Sequence, residues 1–137
     1  MNLFRLSVIT IGFCATLAMV QGCSSLSSND ELANAEGPVE YVNNTLQVND
    51  AMPLNVVWTA ANVALQQLQI PVSLNNKNRM SARLEGRDAQ NHDVIVQLFR
   101  RSRYLTAIQI TVGKIDCTEN RSEAQQIHKK MTERYGQ

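Results

Sequence analysis

The chain has 137 residues, with 13 Lys+Arg against 12 Asp+Glu and a formal net charge of +1. That length suits one domain. So even a charge balance supplies no broad positive field of the kind nonspecific nucleic-acid binding needs, and no nucleic acid is expected as a partner. Arg5 is the only charged residue before Cys23, so the remainder carries as many bases as acids.

Met1 to Arg5 is a short, mildly basic start, and Leu6 to Val20 is apolar except for Ser7, Thr10, Gly12 and Thr16. A run of about 15 residues falls short of the roughly 20 that span a bilayer, and with a charge before it and small residues after it, it reads as a secretory signal over residues 1–22. Val20-Gln21-Gly22-Cys23 follows. These residues resemble the bacterial lipobox, a peptidase cleavage motif that ends at the cysteine whose thiol takes the lipid. The resemblance implies that Cys23 is the lipidation site; separately, no cofactor is expected. Two or three acyl chains would make the attachment effectively permanent, since each buried methylene contributes about 0.8 kcal/mol. Ser24 stands where an Asp would signal retention in the inner membrane. By resemblance to Gram-negative lipoproteins this implies the outer membrane, facing the periplasm. Residues 23–38, small, polar and slightly acidic, read as a flexible linker.

The folded part is expected over residues 39–137. Glu40 to Val48 alternates, with Val42, Leu46 and Val48 on one face, which predicts a strand; Asn49-Asp50 is turn and N-cap chemistry. Leu54 to Leu68 places Val57, Ala61, Ala64, Leu65 and Leu68 at helical spacing behind Pro53, and the alanines would let the helix lie close to a sheet. Ile70, Val72 and Leu74 alternate as a second strand, Asn75 to Asn78 reads as a turn, and Met80, Ala82 and Leu84 form a third strand. Gly86 to His92 is turn-rich. Val94, Val96 and Leu98 form one face of a fourth strand, with Ile95 and Phe99 on the other. Arg100 to Arg103 reads as a tight basic turn, and Thr106, Ile108, Ile110 and Val112 as one face of a fifth strand ending at Gly113. Asn120 and Glu123 approximate a capping box opening a second helix, with Ala124, Ile127, Met131 and Tyr135 as its stripe. The fold class is therefore α+β: a mostly antiparallel sheet of four to five strands, order β-α-β-β-β-β-α, with both helices on one face.

Taken together, several segments are similar to a family of small bacterial lipoproteins catalogued as a domain of unknown function, of β-α-β-β-β-α type. They are Val57-Trp58-Thr59-Ala60-Ala61 through Ala64-Leu65-Gln66-Gln67-Leu68, Val94-Ile95-Val96-Gln97-Leu98, and Thr106-Ala107-Ile108-Gln109-Ile110-Thr111-Val112-Gly113, followed by Asp116, Ser122 and Ile127. The resemblance covers roughly residues 40 to 135. It implies a lipid anchor and an α+β domain, with no known enzyme activity.

Of the three cysteines, Cys14 falls in the signal and Cys23 at the lipidation motif, which leaves Cys117 as a free thiol or an inter-chain partner, with an idle, partly buried cysteine as the plainer reading. His92 reads as a turn residue and His128 as the edge of the last helix. They are too far apart for a paired zinc-ligand pattern, so no metal is expected. Asp88, Asp93, Asp116 and Glu119 fall in loops, where solvated charges are usual. Serine-nucleophile, phosphate-loop and metal-helix motifs are all missing. Arg100, Arg101 and Arg103 are the densest charge and could meet an anionic partner such as lipid headgroups, lipopolysaccharide or an acidic protein surface, or simply solubilise a hairpin. Val56 and Trp58 could form an apolar contact patch, though Trp58 reads foremost as core.

The expected function is a non-enzymatic interaction domain of the cell envelope, anchored in a membrane through Cys23 and engaging an envelope protein. The alternative is a binding module for a lipid or small amphiphile held between sheet and helices, and a third reading is a small envelope enzyme.

Overall fold

The computed structural model describes residues 38–135; the signal segment, the Val20-Gln21-Gly22-Cys23 motif and the linker up to residue 37 lie outside the described residues. The elements are β1 (Glu40–Val42), β2 (Thr45–Asp50), α1 (Leu54–Gln67), β3 (Val72–Lys77), β4 (Ser81–Arg87), β5 (Asp93–Ser102), β6 (Leu105–Val112) and α2 (Thr118–Thr132). All six strands form one sheet in the order β1-β2-β6-β5-β4-β3, and every pairing is antiparallel. The α+β class and the expected element order hold, with one correction: the sheet has six strands, not four to five.

The extra strand arises inside the segment expected to be one strand. Asn43 (φ 48°) and Asn44 (φ 60°) are both left-handed, and Val42 pairs with Thr45 across them. Two consecutive positive-φ residues match the twist of a two-residue hairpin, and Asn tolerates that region better than other side-chain-bearing residues. Asn44 is held there because its Nδ2 donates to the carbonyls of Val112 (3.0 Å) and Gly113 (3.2 Å). Asn49 and Asp50 belong to β2 rather than to a turn or helix cap. β3 likewise runs on through Asn75, Asn76 and Lys77, and β5 through Arg100 and Arg101 to Ser102, so the expected turns at both places are shorter.

The period-two pattern sets the buried face. Leu46 and Val48 from β2, Leu84 from β4, Val96 and Leu98 from β5 and Ile108 and Ile110 from β6 meet Val57, Ala61, Ala64 and Leu65 of α1 and Ile127 and Met131 of α2. Each of the larger side chains contributes about 1.5–3 kcal/mol by leaving water. α1 covers β3, β4 and β5, α2 covers β2 and β6, and the helices touch each other, so both lie on one face. α1 stops where Gln69 turns left-handed (φ 57°), with Ile70 N–H donating to Leu65 O (2.9 Å) and Gln69 N–H to Gln66 O (3.1 Å). This is the paired-bond helix stop usually built on glycine, and Pro71 follows it.

α2 begins at Thr118, two residues before the expected start, with Cys117 at the N-cap and no side-chain cap bond. The expected capping box does not form: Asn120 is buried and its Nδ2 donates to Ile115 O at 2.7 Å. Among the described residues no helix is long and apolar enough to cross a membrane.

Candidate functional site

The N-terminus of α1 opens into a surface cleft of about 510 Å³ lined by Pro53, Leu54, Asn55, Lys77, Asn78, Arg79, Arg100 and Arg103. Three segments build it. The β3–β4 turn supplies Lys77 and Arg79. Its shape is set by Asn78, whose Oδ1 accepts the amides of Met80 (2.7 Å) and Ser81 (2.8 Å) and whose Nδ2 donates to Ser81 Oγ (3.1 Å). The β5–β6 end supplies Arg100 and Arg103. There the Arg100 amide donates to Met80 O (2.8 Å), which stitches this end to the first turn. The register slips between Arg100 and Ser102, a bulge that re-aims side chains. The third wall is the first turn of α1, whose N-cap is Pro53. It has no side-chain cap bond and no acidic residue in the first turn.

Four cations and a helix N-terminus thus face one cleft whose lining holds no carboxylate. Among the described residues none of the four is in an ion pair, although Arg83, Arg87, Arg121 and Lys130 each have one. Lys77 Nζ stands 4.5 Å from the centroid of the Trp58 ring, and the Trp58 Nε1–H donates to Asn75 Oδ1 (3.0 Å). An uncapped helix start carries about half a positive charge and unfilled amide donors. With the four side chains it makes a focused positive field suited to carboxylate or phosphate oxygens.

The structure brings Arg100 and Arg103 of the expected basic turn into this cleft, while Arg101 is exposed outside its lining. Lys77, Arg79 and the helix end were not legible in sequence. Trp58 is partly buried against the core, as its plainer reading had it, and Val56 is exposed. Side chains of both layers pack together between sheet and helices, where the alternative expectation placed an amphiphile.

Cys117 is a free, half-buried thiol at the N-cap of α2. It lines a second cleft of about 560 Å³ with His92, Gly113, Lys114, Ile115 and Asn120, among others. Asp116 is tied to Arg121, whose guanidinium holds its carboxyl below the usual range. Four expectations need correction, two of them because Asp93 belongs to β5 and Glu119 to the first turn of α2 rather than to loops. Asp88 is buried, not solvated (8% exposed), because its carboxylate closes the β4–β5 turn by accepting both the amide and the ring nitrogen of His92. His128 is likewise buried rather than at an edge, against Asp50. The lipidation site Cys23 lies outside the described residues.

Residues 6–134 match the family described as "Protein of unknown function (DUF3568)". No curated protein matches the chain.

Proposed function

Since the chain belongs to the DUF3568 family, whose function is unknown, we propose that it is a non-enzymatic interaction domain of a bacterial envelope, lipid-anchored through Cys23, whose basic cleft grips an anionic surface of an envelope protein. The observation that carries this reading is the unpaired cluster of Lys77, Arg79, Arg100 and Arg103 at the uncapped start of α1. Like charges held together without a counter-charge cost stability. A partner carboxylate or phosphate would relieve that cost and gain charge-assisted bonds. The anchoring half of the proposal draws on the apolar Leu6–Val20 run ending at Val20-Gln21-Gly22-Cys23 and on Ser24, which favour export, cleavage before Cys23 and an outer-membrane position facing the periplasm. Residues 23–38 would then serve as a tether that lets the cleft reach a partner above the membrane.

A second reading, binding of a lipid or small amphiphile, draws on the cleft beside Cys117. Ile115 there is 72% exposed and Lys114 stands beside it.

Crosslinking in intact cells, followed by affinity capture of the full-length protein, tests the first reading. Wild type is compared with a variant carrying Lys77→Ala, Arg79→Ala, Arg100→Ala and Arg103→Ala. A specific partner caught by the wild type and lost by the variant is the expected result. The same partner caught equally by both moves the interface away from the cleft. A wild-type protein recovered without any partner overturns the interaction reading, and extraction of a bound lipid would then favour the second.

A further inference from the structure

At the opposite end of β5 from the basic cleft, Asp88, His92 and Glu123 bring two carboxylates and an imidazole together, with one ligand atom of each lying within 4.8 Å of the others. Asp88 and His92 come from the β4–β5 turn, and Glu123 from α2. The turn is fixed: Asp88 N–H donates to His92 O (3.1 Å) and Asn91 N–H to Asp88 O (3.1 Å), with Asn91 left-handed at φ 67°. The Asp88 side chain is 3% exposed and that of His92 44%. The cluster is thus rooted in the protein at one ligand and open to solvent at another.

We propose that Asp88, His92 and Glu123 form a binding site for a first-row divalent transition-metal ion of the Zn2+ type, clamping the β4–β5 turn to α2.

The donor set carries the assignment. Neutral imidazole with carboxylates suits zinc and its neighbours, whereas calcium and magnesium prefer all-oxygen shells. His92 Nδ1 lies 2.9 Å from Asp88 Oδ2. Tetrahedral zinc with bonds of about 2.0–2.2 Å sets adjacent ligand atoms about 3.4 Å apart. His92 Nδ1 and Asp88 Oδ2 would therefore open by about half an ångström to admit the ion, a shift within reach of the exposed His92 side chain. The ion would take the place of the hydrogen bonded between His92 Nδ1 and Asp88, with the imidazole proton moving to Nε2. Charge favours the same outcome: Asp88 and Glu123 bring two carboxylates from separate elements to one place, and Arg87, next to Asp88 in the chain, is engaged by Asp93.

The experiment is isothermal titration of the full-length protein in detergent with Zn2+, with Mg2+ and Ca2+ as comparisons. All proteins carry Cys117→Ser, so that the nearby thiol cannot supply a ligand. Visible absorption of the Co2+-loaded protein is the second readout. The expected result is one Zn2+ per chain, bound much more tightly than Mg2+ or Ca2+, with a rise in Tm. Removing a ligand should cost more than the 10- to 100-fold that loss of an outer-shell partner costs, so His92→Ala and Glu123→Gln should each weaken binding by more than about 100-fold. Glu123→Gln keeps the shape and hydrogen-bonding reach of the side chain, so it decides the matter if His92→Ala fails to fold. Absence of Zn2+ binding to the parent Cys117→Ser protein, or equal binding by that parent and by its Glu123→Gln derivative, overturns the proposal.

Discussion

His128 Nε2 on α2 lies 3.2 Å from Asp50 Oδ1 at the end of β2, with both side chains almost wholly buried. The Tyr135 hydroxyl donates to Asp50 Oδ2 at 2.8 Å. One carboxylate therefore gathers the end of a strand, the middle of the last helix and the turn beyond it. Asp50→Ala leaves buried polar groups without this acceptor, and should cost about 3–5 kcal/mol. Tyr135→Phe removes one hydroxyl bond and should cost about 1 kcal/mol. Urea unfolding of both variants checks the order. Equal losses would mean that Asp50 does not tie the three segments together.

Pro53 starts α1 with no side-chain cap bond, so Pro53→Asp should supply the missing acceptor and raise stability by about 1 kcal/mol. The same carboxylate would stand among Lys77, Arg79, Arg100 and Arg103 and should weaken capture of an anionic partner. A variant that is more stable but captures less partner is the expected pair of outcomes. Unchanged capture would argue that the partner does not use the cleft.

Gly113 has φ +63°, and a Cβ built on it would lie 2.7 Å from Asn120 Nδ2. That amide anchors the loop before α2 by donating to Ile115 O. Gly113→Ala combines backbone strain with a displaced side chain, and should destabilise the domain by about 1–3 kcal/mol. Hydrogen exchange should quicken first at residues 113–120. A loss spread evenly over the sheet would contradict this account.

Ala61 and Ala64 are wholly buried where α1 lies on the sheet. Ala61→Leu should cost about 1–3 kcal/mol by overpacking. Leu98→Ala, which empties the same layer, should cost about 2–5 kcal/mol. Thermal unfolding of the two variants tests whether the helix–sheet spacing is as tight as described.

Arg121 hydrogen-bonds Asp116, and this, with its charge, lowers the Asp116 carboxyl below the ordinary carboxylate range. A carboxylate depressed in the folded state stabilises that state above its unfolded pKa, and the contribution is lost as pH falls through the folded value. Arg121→Gln should return Asp116 towards the ordinary range and remove its share of the acid dependence. Carboxyl-carbon NMR titration reads this directly. An unmoved Asp116 would show that the pair does not persist in solution.

The strands that could be read were those with an apolar face, because alternation is a property of each segment alone. Val94, Val96 and Leu98 or Ile108, Ile110 and Val112 announce a buried face whatever they pair with. Asn43-Asn44 could have been read as a two-residue hairpin turn, but the surrounding alternation of Val42, Leu46 and Val48 masked it. The turn becomes compelling only through Asn44's bonds to Val112 and Gly113, far along the chain. The basic turn was half legible. Arg100 and Arg103 stand out as a run, while Lys77 and Arg79 look like ordinary solvent charges until pairing lays the two turns side by side.

By itself the sequence determined the class of the domain, the two helices, the faces of the central strands and most of the core, since these follow from local periodicity and side-chain volume. The tertiary structure alone decided which polar residues meet. Asp50 with His128, Asp88 with Glu123, and four cations at the start of α1 are neighbours only because strand register and helix placement bring distant segments together. No local pattern encodes such a meeting, because its energy depends on the burial and charge that the completed fold creates.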